Sequence, residues 1–257
     1  FVAGVNAGNS ITSGGNYNTT IGDEAGTAIT TGDNNVAVGY NSLTANTTGT
    51  DSVAIGHSAL LAQTTGGDNV AIGHLAMSSL TTAGNNTAVG DRAMQANTSG
   101  ENNVAIGTLA LDANTTGSFN TAVGRDSLGA NTTASYNTAL GHTALLSNTT
   151  GAFNTANGFQ ALRNNTTGTS NTSVGESALY ANTTGGDNSA LGNGALGANT
   201  TGSHNVAIGD RSLLSNTTAA YNTAVGDRSL RYNTTGAENT ALGQNALAAN
   251  TTGAENT

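Results

Sequence analysis

The stretch Asn205-Val206-Ala207-Ile208-Gly209 decides how the chain is read. Val206 and Ile208 share one face of an extended backbone and Ala207 lies on the other. The β-branched residues on either side of Ala207 favour a short strand. Seventeen residues earlier the chain reads Asn188-Ser189-Ala190-Leu191-Gly192, and seventeen later Asn222-Thr223-Ala224-Val225-Gly226. Outward from this point the terminal glycine recurs at 22, 39, 56, 73, 90, 107, 124, 141, 158, 175, 192, 209, 226 and 243. Only the first interval, Gly4 to Gly22, is one residue longer.

A repeat that tolerates no insertion over this length points to a solenoid, in which each unit is one coil stacked on the last. Seventeen residues are too few for the helix pairs of other solenoids, whose repeats run to about 30 or more. The period reads G-x-x-[AS]-L-x-[AS]-N-T-T-G-x-x-N-[TV]-A-[VIL]. The expected fold is therefore all-β: a parallel β-solenoid, or β-roll, with 17-residue coils and two short strands per coil. The first strand covers segments such as 205–209, and the second, weaker one segments such as 178–182. Residues 1–257 are expected to form one array of about 15 coils, on the order of 70 Å long at the spacing of paired strands. With the repeat running to both ends, the array reads as a segment of a longer fibre.

Composition agrees. Gly, Asn, Thr and Ala supply 157 of 257 residues, and Pro, Cys and Trp are absent. Proline would remove a ladder hydrogen bond from any coil it entered. Charged residues make up 8 % and the formal charge is −9, with every cation an arginine. That balance disfavours nucleic acid as a partner, and no apolar run is long enough for a membrane span. The absence of cysteine excludes thiolate metal sites and is compatible with an extracellular setting.

Strict periodicity lets each column be read as an environment. The columns Val38, Ile55, Ile72, Val89, Ile106 and Leu43, Leu60, Met77, Met94, Leu111, with their successors, are read as core; Asn157 is the polar exception in the first. The Ala column (Ala54, Ala71, Ala88, Ala105, Ala122) then faces outward, and so smooth a surface suggests that another copy packs on it. The Asn columns through Asn69, Asn86, Asn103 and through Asn97, Asn114, Asn131 read as ladders in which stacked amides bond along the axis.

Other columns carry candidate sites. Asn46, Asn97, Asn114, Asn131, Asn148, Asn165, Asn182, Asn199, Asn216, Asn233 and Asn250 each satisfy the N-glycosylation pattern. Glycans on consecutive rungs about 4.8 Å apart would collide, so partial occupancy is the expectation. Phe119, Tyr136 and Phe153 form an aromatic column, read either as cross-coil stacking or as a contact patch for a sugar or partner. His57 and His74 stack in a variable column, but one pair is a weak metal site. Neither a metal nor a cofactor is expected. Near-identical coils offer no unique catalytic constellation, so the chain is read as not an enzyme.

Ser52-Val53-Ala54-Ile55-Gly56 and Asn205–Gly209 resemble the head repeats of trimeric autotransporter adhesins, the YadA-like heads. That family's head repeat is shorter and lacks Asn-Thr-Thr-Gly. The longer phrase, as in Asn222–Gly226 with Tyr232-Asn233-Thr234-Thr235-Gly236, is similar to the repeat arrays of bacterial tail-fibre-domain proteins. The resemblance implies a homo-oligomer, a trimer or filament. It further implies an extracellular, cell-surface or virion-fibre location and a host-surface or glycan receptor. The expected function is a structural and adhesive fibre. The alternatives are an ice-binding β-solenoid, since a grass antifreeze family resembles the Asn-x-Val-x-Gly motif and Thr47, Thr64, Thr81 and Thr98 form a column, or a glycosylated matrix or sheath filament.

Overall fold

The computed structural model describes residues 2–11 and 14–257; Phe1, at the start of the expected array, lies outside the described residues. The chain falls into two compact units, Phe1–Thr133 and Ala134–Thr257. The first carries β1 (Val2–Ala3), β2 (Thr19–Ile21), β3 (Val36–Val38), β4 (Val53–Ile55), β5 (Val70–Ile72), β6 (Thr87–Val89), β7 (Val104–Ile106) and β8 (Thr121–Val123). The second carries β9 (Thr138–Leu140), β10 (Thr155–Asn157), β11 (Thr172–Val174), β12 (Ser189–Leu191), β13 (Val206–Ile208), β14 (Thr223–Val225) and β15 (Thr240–Leu242).

Within each unit consecutive strands pair in parallel. In the first unit from β2 onward, and throughout the second, each strand residue sits beside its equivalent seventeen positions away, as Ala54 beside Ala71 and Ala190 beside Ala207. The fold is thus a parallel β-solenoid. Bonds run both ways along each stack: Val53 N–H donates to the Asn69 carbonyl at 2.8 Å, and Gly73 N–H to the Ile55 carbonyl at 2.8 Å.

The strands obey the expected alternation with the opposite sign. Ala37, Ala54, Ala71, Ala105 and Ala207 are fully buried. The flanking Val and Ile columns face outward, with Ile55 38 % and Ile106 41 % exposed. The Val38–Ile55–Ile72 column is therefore not core, and the Ala column is not a surface. The reason is space. The coil starting at Asn103 already encloses Asn103, Ala110, Leu111 and Asn114, and only a methyl fits at the strand centre beside them.

A second correction concerns 178–182, which forms turns rather than a strand. Ser177 and Leu179 adopt φ of 55° and 50°, the left-handed region, with Ala178 between them. Coil-to-coil bonding survives all the same: Leu179 N–H donates to the Ala195 carbonyl at 2.9 Å and Ala181 N–H to the Gly197 carbonyl at 3.0 Å. A leucine held in this region costs about 1–3 kcal/mol. Burying its side chain recovers about 1.5–3 kcal/mol. Leu43, Leu60, Leu111, Leu179 and Leu213 are all fully buried, so this column is core as the sequence indicates.

Glycine is required where the strand ends. Gly56 has φ of +130°, and a Cβ there would lie 2.5 Å from the Gly73 carbonyl oxygen. No side chain fits between rungs at that point.

The two faces of one strand should respond differently to substitution. Ala105→Val overfills the coil and is expected to destabilise by about 1–3 kcal/mol. Ile106→Thr, on the outward face, should change monomer stability by less than about 0.5 kcal/mol. Equal losses in denaturant titrations would contradict the assigned faces.

Candidate functional site

Two amide ladders run through the interior of the coil beside the buried leucine and alanine columns. In the ladder before the strand, Asn69 Oδ1 accepts from the backbone N–H of Asn86 at 3.0 Å and from its Nδ2 at 3.3 Å. Asn86 Nδ2 also donates to the Gly100 carbonyl at 3.0 Å. In the second ladder Asn165 Nδ2 donates to Asn148 Oδ1 at 2.8 Å and to the Gly168 carbonyl at 2.9 Å. Asn182 repeats the pattern one rung on. Burying an amide is costly unless it is bonded, and here the next coil and the local turn provide the partners.

Two exceptions in the columns compensate for each other. Ser52 is too short to continue the first ladder, and Gln63 replaces asparagine in the second. The longer Gln63 amide donates to Ser52 Oγ at 3.0 Å and to the Gly66 carbonyl at 2.8 Å. Its Oε1 accepts from Asn69 at 3.0 Å. Only the cross-section of the coil shows that one fills the space left by the other.

This geometry bears on the eleven sequon asparagines. Asn46, Asn97, Asn114, Asn131, Asn148, Asn165, Asn182, Asn199, Asn216 and Asn233 are fully buried. Asn250 is part-buried, donating to Asn233 Oδ1 at 2.9 Å and to the Gly253 carbonyl at 2.8 Å. An N-glycan at Asn165 would replace one of two donated hydrogens and would have to fit inside the coil. The folded stack has no room for it there.

Tyr136 and Phe153 stack with centroids 5.1 Å apart and planes 3° from parallel, and Phe153 is 61 % exposed. Phe119 is half-exposed and belongs to the first unit. His204 and Tyr221 stack similarly at 4.9 Å. In the other variable column Tyr40, His57 and His74 follow one another at 5.3 and 5.2 Å. His74 Nδ1 lies 2.8 Å from Asp91 Oδ1, a carboxylate partner that the sequence reading did not pair with it. Among the described residues no group of three or more His, Cys, Asp or Glu side chains is placed to hold a metal. Among the described residues no helix is long and apolar enough to cross a membrane.

The Thr47 column spends its hydroxyls internally. Thr47 Oγ1 donates to the Thr64 carbonyl at 3.2 Å, and Thr98 Oγ1 to the Thr115 carbonyl at 3.0 Å. A cavity of about 390 Å3 in the second unit is lined by Tyr180, Gly194, Gly197 and Leu214 among others. It arises where Gly197 stands in a column that carries Tyr180 and Leu214 on the adjacent rungs. The outward strand face carries paired columns, half-buried at Val104 and Val206 and exposed at Ile106 and Ile208.

No protein-family profile and no characterised protein matches the chain.

Two substitutions probe the interior. Asn171→Ala removes the Oδ1 that accepts from Asn188 N–H at 3.1 Å and the amide bonded to the Gly185 carbonyl at 2.9 Å. Chemical denaturation should register a loss of about 1–3 kcal/mol for each buried group left without a partner. Asp112 is the titrating probe. Burial pushes its carboxyl above the ordinary value of 3.8, assisted by repulsion from Asp126 and opposed by backbone N–H groups and Arg92. The folded state thus holds the proton more tightly than the unfolded chain, and stability falls as pH rises through that window. Asp112→Asn should raise Tm near neutral pH, with the difference closing as pH falls toward 3.8. A difference that stays constant with pH would show that ionisation of Asp112 is not the cause.

Proposed function

We propose that the chain is a structural element of an extracellular or cell-surface fibre: a stiff repetitive spacer that associates with further copies of itself. The observation that carries this reading is the outward strand face. Each unit presents two adjacent outward columns in strict register: one of Val, Ile and Leu, broken at Asn157 in the second unit, and one that mixes Val with Thr and Ser. An apolar stripe repeated rung after rung is a surface that gains from being covered. A second copy has the same repeat and therefore matches it at every rung.

This surface replaces the Ala column as the ground for self-association. An axial ladder of backbone and amide bonds supports stiffness, because bending the stack would stretch bonds at several points of each coil. The exposed Tyr136–Phe153 pair offers flat apolar area on a turn, and we assign it the adhesive contact, with a sugar face or partner side chain as the chemistry it suits. The alternative of ice binding gains nothing from the Thr47 column, whose hydroxyl hydrogens point along the stack.

Electron microscopy of the purified protein should show thin particles of uniform width, and sedimentation should give a multiple of 25.2 kDa. Compact particles of monomer mass would overturn the proposal. Ile106→Asp combined with Ile208→Asp places charge on the outward face while leaving the interior intact. It should weaken association at least about tenfold, or 1.4 kcal/mol, with the circular dichroism spectrum unchanged.

A further inference from the structure

One coil of the second unit lacks two side chains that its neighbours carry. In one turn column Gly194 follows Gln160 and Ser177 and precedes Arg211, and in another Gly197 stands between Tyr180 and Leu214. The backbone stays closed across this coil: Ala181 N–H donates to the Gly197 carbonyl and Ala198 N–H to the Leu214 carbonyl, both at 3.0 Å. The cavity of about 390 Å3 is therefore a missing rung of side chains and not a break in the stack. We propose that this slot binds one pyranose ring of a saccharide, seated on Tyr180 in the place of the side chain absent at Gly197.

The walls suit a ring with apolar faces and a polar edge. Arg163, one coil before Tyr180, sets its guanidinium 5.9 Å from the centre of the tyrosine ring and donates to the hydroxyl at 3.2 Å. Tyr180 is thus held from the far side while it lines the slot on the near side. Leu214 forms the opposite wall, its Cδ1 3.2 Å from where a Cβ on Gly197 would lie. Gln160, Ser177 and Ser215 border the same space with an amide and two hydroxyls. None of these three side chains is engaged in a hydrogen bond among the described residues. A pyranose turns C–H groups to an aromatic face and hydroxyls to its rim, so it uses both kinds of wall at once. An apolar side chain or a plain arene would use only the first kind. The volume falls in the usual range of small-ligand sites, about 300–1,000 Å3.

The arrangement is not a product of the repeat alone. Gly129 is the other glycine of the Gly197 column, and it follows Asp112 rather than an aromatic residue. The lining residues all come from turns of the second unit. None belongs to the strands on which self-association is proposed, so occupancy needs no second copy.

The test uses the full chain carrying Phe153→Ala, which removes the adhesive contact assigned above to Tyr136 and Phe153. Saturation-transfer NMR is recorded with the methyl glycosides of glucose, galactose, mannose and N-acetylglucosamine, and with p-cresol as the aromatic control. At least one glycoside should give transfer that saturates with concentration and exceeds that of p-cresol. Gly197→Leu refills the rung. The equivalent Tyr180 and Leu214 show that the turn accepts a side chain, and Gly197 is not held at positive φ. This variant should abolish the transfer with the circular dichroism spectrum unchanged. Tyr180→Leu should weaken binding about threefold to tenfold, and it decides the matter if Gly197→Leu alters the spectrum. No transfer from any glycoside, transfer that both variants leave intact, or stronger transfer from p-cresol overturns the proposal. A fall in sedimenting mass on Gly197→Leu also overturns it, by giving the slot to a side chain of a second copy. Transfer seen with Phe153 present and lost in Phe153→Ala overturns the slot and leaves the adhesive reading standing.

Discussion

The structure depends on one constraint: each residue must sit beside its own equivalent in the next coil. Backbone bonds such as Val53 N–H to Asn69 carbonyl close only if the coils have equal length. Amide ladders such as Asn148–Asn165–Asn182 close only if equivalent side chains superimpose. An insertion of one residue has to be absorbed within its own coil, as in the first, where Ala3 pairs with Ile21 eighteen positions on, and elsewhere it would break the bonds between neighbouring coils. That explains why the period is kept without interruption from Gly22 to Gly243.

The same constraint explains the composition. A 17-residue coil has a narrow lumen, filled in a typical rung by a leucine, two alanines and two asparagines, as by Leu111, Ala105, Ala110, Asn103 and Asn114. Apolar burial alone would be modest, at about 1.5–3 kcal/mol for each leucine. The axial hydrogen bonds supply the rest of the cohesion and require polar side chains inside. A chain with few large apolar residues can therefore fold, provided that its buried amides are paired.

The surface follows from the same geometry. Because the lumen takes only a methyl at the strand centre, the β-branched residues needed for strand conformation are displaced outward. There they form the stripe on which self-association is proposed. The turns, free of the axial bonding of the amides, carry the variable residues: Tyr136 and Phe153 stacked in one column, His57 and His74 in another.

The period, the parallel in-register stacking and both asparagine ladders were determined by the sequence alone, because a 17-residue repeat without gaps admits no other partner for residue i than residue i+17. The leucine column was legible as core for the same reason. Only the tertiary structure decided which face of the strand points inward. Alternation at Val104-Ala105-Ile106 separates two faces but does not say which is enclosed, and the usual preference for burying larger side chains points the wrong way here. The limited cross-section of the coil decides it: Ala105 fits among Leu111, Asn103 and Asn114, and an isoleucine would not. The turn around Leu179 was equally hidden, since a leucine at positive φ runs against backbone preference and is held there only by the space that its side chain fills.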